Sequence, residues 1–166
     1  ARVNSVEPHG AVSPDGKALA SGGTGPIKLW DLATRKDRAS LKTRNGSYVP
    51  ANWVTFSPAG QTLASVYDSH SMTLWDLATG LERFAVSGGT WSSAAFSPDG
   101  GTVASGGFDH LVKLWDPATG KERTTLKGRR DMGQTVAFSP DGETLASRGQ
   151  DRGVILWAWA MGQRLN

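Results

Sequence analysis

Phe96-Ser97-Pro98-Asp99-Gly100-Gly101-Thr102-Val103-Ala104-Ser105-Gly106-Gly107-Phe108-Asp109-His110-Leu111-Val112-Lys113-Leu114-Trp115-Asp116-Pro117-Ala118-Thr119-Gly120 decides the fold. A Ser-Pro-Asp-Gly turn leads into a short β-prone run, Thr102 to Ser105, and a Gly- and Asp-rich turn follows. Val112-Lys113-Leu114-Trp115 then alternates apolar and polar, the pattern of a strand half-facing a core. Asp116 to Gly120 reads as a tight turn whose glycine suits a positive φ. Arg123-Thr124-Thr125-Leu126 is the next strand, and the run into Ala137-Phe138-Ser139 opens another copy of the same series.

The copies are in phase along the whole chain. Ser-Pro-x-Gly begins at Ser13, Ser57, Ser97 and Ser139, at steps of 44, 40 and 42 residues; Leu-Trp ends at Trp30, Trp75, Trp115 and Trp157, at steps of 45, 40 and 42. The second strands fall at 18–21, 62–65, 102–105 and 144–147. A period of ~40–45 residues with four strands and a closing Trp-Asp is the pattern of one propeller blade per repeat. The expected class is therefore all-β: four four-stranded antiparallel blades, at about residues 5–42, 43–87, 88–127 and 128–166 of one unit spanning 1–166.

In these residues the chain resembles the WD-repeat (WD40) β-propeller family, over roughly residues 5 to 166. Its Phe-Ser-Pro-Asp-Gly and Leu-Trp-Asp-Leu-Ala-Thr-Gly wording is similar to that of bacterial members. The resemblance implies a blade-anchoring set: the strand-three Trp, a strand-two Ser or Thr, an Asp in the turn between them and a His in the loop before strand one. Trp and Ser match throughout, as Ser21 with Trp30, Ser65 with Trp75, Ser105 with Trp115 and Ser147 with Trp157. The Asp matches as Asp109 and Asp151, is shifted by one as Asp68, and is replaced by Thr24. The loop His is missing, since His9, His70 and His110 lie elsewhere and Arg44, Gly88 and Arg129 occupy the expected neighbourhood. A buried Asp without its partner is costly, so these carboxylates are expected to face solvent, accept turn amides or meet an Arg.

Family rings usually have about seven blades. Four blades, a fourth unit running out at Gly162-Gln163-Arg164-Leu165-Asn166 and a start lacking Met suggest either part of a larger ring or half of an eight-bladed ring made by two copies. In either case Ala1 to Val6 is a candidate edge strand, and Trp159 a candidate cover for the last blade or contact to another chain.

Composition narrows the function. Lys plus Arg exceed Asp plus Glu by 18 to 15, a net charge of +3 with a pI near 9.5, but no like-charge block forms the clustered footprint of a nucleic-acid binder. Nucleic acid is therefore a disfavoured partner. No apolar stretch reaches the ~18 residues that span a bilayer and no signal-peptide core opens the chain, so the expected setting is the cytoplasm with no membrane partner. With no Cys and three scattered His, thiolate and zinc spacings are missing, and no metal or cofactor is expected. Nearly every Ser is a repeat position, and His110 beside Asp109 has no second catalytic partner, so no enzyme activity is expected.

Recognition is instead expected on the loops joining strand four to strand one and strand two to strand three, which emerge together in this architecture. Arg44, Tyr48, Trp53, Trp91, Arg129, Arg130 and Met132 are the interface-prone residues there. Trp53 and Trp91 have a second reading as packing between blades. Three functions compete: an interaction scaffold or sensing module for an unidentified protein partner, a self-assembly element forming an eight-bladed homodimer, and, lowest, an enzyme or weak nucleic-acid binder.

Overall fold

In a computed structural model of the chain, the described residues are 10–67, 71–87, 89–127, 133–149 and 153–165. They form four antiparallel four-stranded sheets in sequence order. The first sheet contains β1 (Gly10–Val12), β2 (Ala18–Ser21), β3 (Lys28–Asp31) and β4 (Lys36–Ser40); the second contains β5 (Trp53–Phe56), β6 (Thr62–Tyr67), β7 (Ser71–Asp76) and β8 (Leu81–Ser87). The third contains β9 (Trp91–Phe96), β10 (Val103–Gly107), β11 (Val112–Trp115) and β12 (Glu122–Leu126); the fourth contains β13 (Gly133–Phe138), β14 (Leu145–Gly149), β15 (Val154–Ala158) and β16 (Gln163–Arg164). The expected all-β architecture and the repeat phase both hold.

Turn chemistry explains the strand ends. Asp76 Oδ1 accepts the amides of Ala78 and Thr79, and Asp116 Oδ1 those of Ala118 and Thr119, which folds each strand-three to strand-four turn. Gly80 and Gly120 complete these turns at φ of 70° and 72°; the first blade uses Arg35 at 57° instead, a conformation that costs a non-glycine residue roughly 1 kcal/mol. Ser13, Ser57, Ser97 and Ser139 close the other set of turns, each hydroxyl accepting the amide five residues on.

The pairing register slips at Leu29/Trp30, Leu74/Trp75 and Leu114/Trp115, so strand four meets strand three through a bulge in the first three blades. Bulges increase local twist, and the repetition turns each outer strand by the same device.

Hydrophobic packing lies between blades. One cluster joins the first two sheets through Ala20, Ile27, Leu29, Leu63 and Trp75; a second joins the middle pair through Val66, Met72, Leu74, Val103 and Trp115; a third joins the last pair through Ala104, Leu114, Leu126, Leu145 and Trp157. Inner strands of the second and third blades are therefore covered on both faces, whereas β3 and β15 in the terminal blades keep partly exposed residues. This corrects the half-exposed reading of Val112-Lys113-Leu114-Trp115: Leu114 packs toward the fourth blade and Trp115 toward the second, because successive side chains meet different neighbours. The outer strand β8, by contrast, alternates exposed and half-buried residues.

Candidate interaction surface

One side-chain bond repeats in all four blades. The indole Nε1 of Trp30, Trp75, Trp115 and Trp157 donates to Ser21, Ser65, Ser105 and Ser147 Oγ at 3.0, 2.8, 2.9 and 2.9 Å. In the last three blades these groups are buried, with Trp75 at 0 % exposure, whereas Trp30 and Ser21 are half-buried. Asp109 Oδ1 accepts the Leu111 amide at 3.2 Å, one of the roles expected for a turn carboxylate without a loop His. Asp68, His70 and Asp151 lie outside the described residues.

The long connection after β4 is a built structure. The Lys42 amide donates to Gly80 O and its carbonyl accepts the Glu82 amide, both at 3.1 Å, so the segment runs parallel to the start of β8. Arg44 donates from Nε to Glu82 O at 3.3 Å and from Nη2 to Arg83 O at 2.6 Å. Thr43 Oγ1 donates to Asn45 Oδ1, and the Gly46 amide returns to Thr43 O, closing a small turn. Tyr48 stands beyond this clamp at 50 % exposure, with the Lys42 ammonium 5.3 Å from its ring centre.

The two tryptophans expected in loops instead open strands β5 and β9 and face inward. Trp53 is half-buried and donates to Ala94 O at 2.9 Å, bridging the second and third blades. Trp91 is 2 % exposed and meets Trp115 edge-on, with ring centres 5.9 Å apart at 82°. Its indole N–H is buried without an acceptor among the described residues. Thus the structure gathers Arg44 and Tyr48 on one loop and takes Trp53 and Trp91 into blade junctions. Arg129, Arg130 and Met132 lie outside the described residues. Trp159 packs edge-on against Phe138 at 5.4 Å and donates to Gly142 O at 2.8 Å, covering part of the fourth blade itself.

The opposite rim, where the Ser-Pro-x-Gly and Asp-x-x-x-Gly turns meet, contains features the sequence reading missed. Arg83 pairs with Asp76 at 3.1 Å and Arg123 with Asp116 at 2.8 Å. The Arg123 guanidinium and the Thr119 and Ala118 amides hold the Asp116 carboxyl down at about 2. The Thr79 amide and Arg83 lower Asp76 in the same direction. Asp31 is also lowered, chiefly by the Thr34 amide and hydroxyl. Between the first and second blades this rim opens into a cavity of about 690 Å³ with Leu29, Phe56, Pro58 and Leu77 among its walls and Arg38 and Arg83 at its mouth. A second space of about 340 Å³ adjoins it beside Ala39 and Gly80. The only signal in the sequence was a small residue, Ala39, where the next repeat has Phe84, and it becomes visible only after strand registers are known.

Among the described residues no three His, Asp or Glu side chains come together as a metal site. No described helix is long and apolar enough to cross a membrane.

Sheet order, the repeated Trp–Ser bond and the inter-blade packing define a repeat protein of propeller-type blades. Residues 84–116 and 120–158 match the family model described as WD domain, G-beta repeat. It is similar to U3 small nucleolar RNA-associated protein 15 of Schizosaccharomyces pombe, at 32% identity over 53% of this chain and 18% of that protein. It is also similar to small ribosomal subunit protein RACK1 of Medicago sativa, at 46% identity over 45% of this chain and 21% of the relative, and of Glycine max, at 45% identity over the same shares. The matches span about a fifth of each curated relative's length.

Proposed function

We propose that this chain is a non-catalytic protein-interaction module that meets its partner through the loop face centred on Tyr48, in a cytoplasmic setting. The observation that carries the reading is the clamp under that residue. Lys42 and Arg44 fix the loop to β8 through backbone atoms, so Tyr48 is displayed with little ordering left to do on binding. An aromatic ring beside a cation is a common hot-spot chemistry. Arg129, Arg130 and Met132 stay in the proposed face on sequence grounds. The relatives' names, a small ribosomal subunit protein and a U3 small nucleolar RNA-associated protein, support membership of larger assemblies.

The test is partner capture from lysate with Tyr48→Ala and Arg129→Ala combined. Loss of the captured species with an unchanged circular dichroism spectrum supports the face; undiminished capture rejects it. Failure to bind duplex at low salt, where phosphate contacts are strongest, would remove the nucleic-acid alternative.

One observation favours self-association as a second reading. Trp30 and Leu19 are half-buried on the first blade, while their repeat equivalents Trp75 and Leu63 are at 0 % exposure under a neighbouring blade. A second copy could supply that neighbour. A monomeric mass by light scattering at micromolar concentration would exclude this reading.

A further inference from the structure

We propose that the cleft between the first and second blades binds a short extended peptide carrying an aromatic side chain next to a carboxylate. The template for the aromatic residue is inside the protein. At the next junction Phe84, paired in register with Leu74, lies over the turn glycine Gly120 so closely that a Cβ there would come within 2.7 Å of the ring. In the first blade the residue in that register, opposite Leu29, is Ala39. The glycine corresponding to Gly120 is Gly80, and nothing lies within 4 Å of where its Cβ would be. A ring that one junction supplies from its own chain is missing from the other, and the space of about 340 Å³ lined by Ala39 and Gly80 lies there, adjoining the cavity of about 690 Å³. Each is of the size, roughly 300–1,000 Å³, that holds small ligands.

The carboxylate follows from the charges. Arg38, Arg83 and Arg123 each lie seven residues after a turn aspartate, and Arg83 and Arg123 pair with theirs. Asp31 instead gives Oδ1 to the amide and hydroxyl of Thr34, and among the described residues no ion pair within 4 Å holds Arg38. This leaves an exposed guanidinium in a cleft whose walls are part apolar and part polar, a fork suited to a carboxylate. A peptide is favoured over a nucleotide because β4 is the outer strand of its sheet, with a backbone edge an extended chain can join.

This site goes beyond the loop-face reading and stands or falls separately. The probe is fluorescein-labelled, N-acetylated Gly-Glu-Phe-Glu-Gly, titrated against the full chain by anisotropy at low and moderate salt. Expected is saturable binding that is lost when the probe's Phe is changed to Ala, and amide shifts in heteronuclear NMR spectra centred on Ala39 and Gly80. Ala39→Phe fills the slot as Phe84 fills its own, and should weaken binding by more than about tenfold. Arg38→Gln, an exposed change that leaves the core intact, should weaken it roughly threefold and flatten its salt dependence. Tyr48→Ala should bind the probe as wild type does, whether or not the loop face meets a partner. Absence of saturable binding, unchanged affinity in either Ala39→Phe or Arg38→Gln, or displacement of the probe by equimolar adenosine monophosphate overturns the proposal.

Discussion

Replacing Ser65 by Ala removes the acceptor of the Trp75 indole N–H while leaving the packing nearly unchanged. Both side chains are buried, at 2 % and 0 % exposure, so water cannot reach the orphaned donor. Leaving a buried donor unsatisfied costs about 1–3 kcal/mol. In a protein of this size each kcal/mol lowers the melting midpoint by roughly 2–4 °C, so Ser65→Ala is expected to melt about 2–12 °C lower. Ser21→Ala deletes the repeat-equivalent bond, at 3.0 Å rather than 2.8 Å, where Trp30 and Ser21 are half-buried. There water can replace the hydroxyl, and the loss should stay near the net value of an ordinary hydrogen bond, about 1 kcal/mol or less. Trp91 is the reverse control: its N–H has no acceptor among the described residues, so Trp91→Phe should lose ring packing but no hydrogen bond. Urea unfolding followed by far-ultraviolet circular dichroism, with midpoints compared at constant slope, reads all three. Equal losses for Ser65→Ala and Ser21→Ala would refute the argument that burial sets the worth of this bond, and no loss in either would show that the Trp–Ser bond does not hold the blade.

Two further outcomes follow from the same geometry. Gly120→Ala and Gly80→Ala impose the same positive-φ strain, but only the first drives a methyl into Phe84, so Gly120→Ala should be the less stable by about 1–3 kcal/mol in matched urea titrations. Asp116 has a folded pKa near 2 against an ordinary 3.8, so its contribution is fully present above about pH 4 and disappears as pH falls toward 2. Asp15, Asp99 and Asp141, each held low chiefly by a Ser hydroxyl, act in the same direction. Asp116→Asn should therefore flatten the decline of the urea midpoint between about pH 4 and 2, and a decline as steep as wild type would show that the Arg123 pair does not matter.

Strand order, turn positions and the anchoring Ser–Trp pairs were legible in the sequence because each is set locally: a turn needs its Ser, Asp or Gly at a fixed offset, and a repeat displays that offset four times. Register was not legible, since it depends on how far a bulge displaces one strand against the next. Register is what places Ala39 opposite Leu29 and Phe84 opposite Leu74, and so decides which junction is filled and which is open. The fates of Trp53 and Trp91 were hidden for a related reason. Both are hydrophobic residues at the first position of a strand, and only the position of the third blade determines that one donates to Ala94 and the other meets Trp115. The sequence by itself determined the blade, because its periodic contacts lie within some forty residues of one another. The tertiary structure alone decided the surface, because what a side chain offers to a partner is whatever the neighbouring blade leaves uncovered.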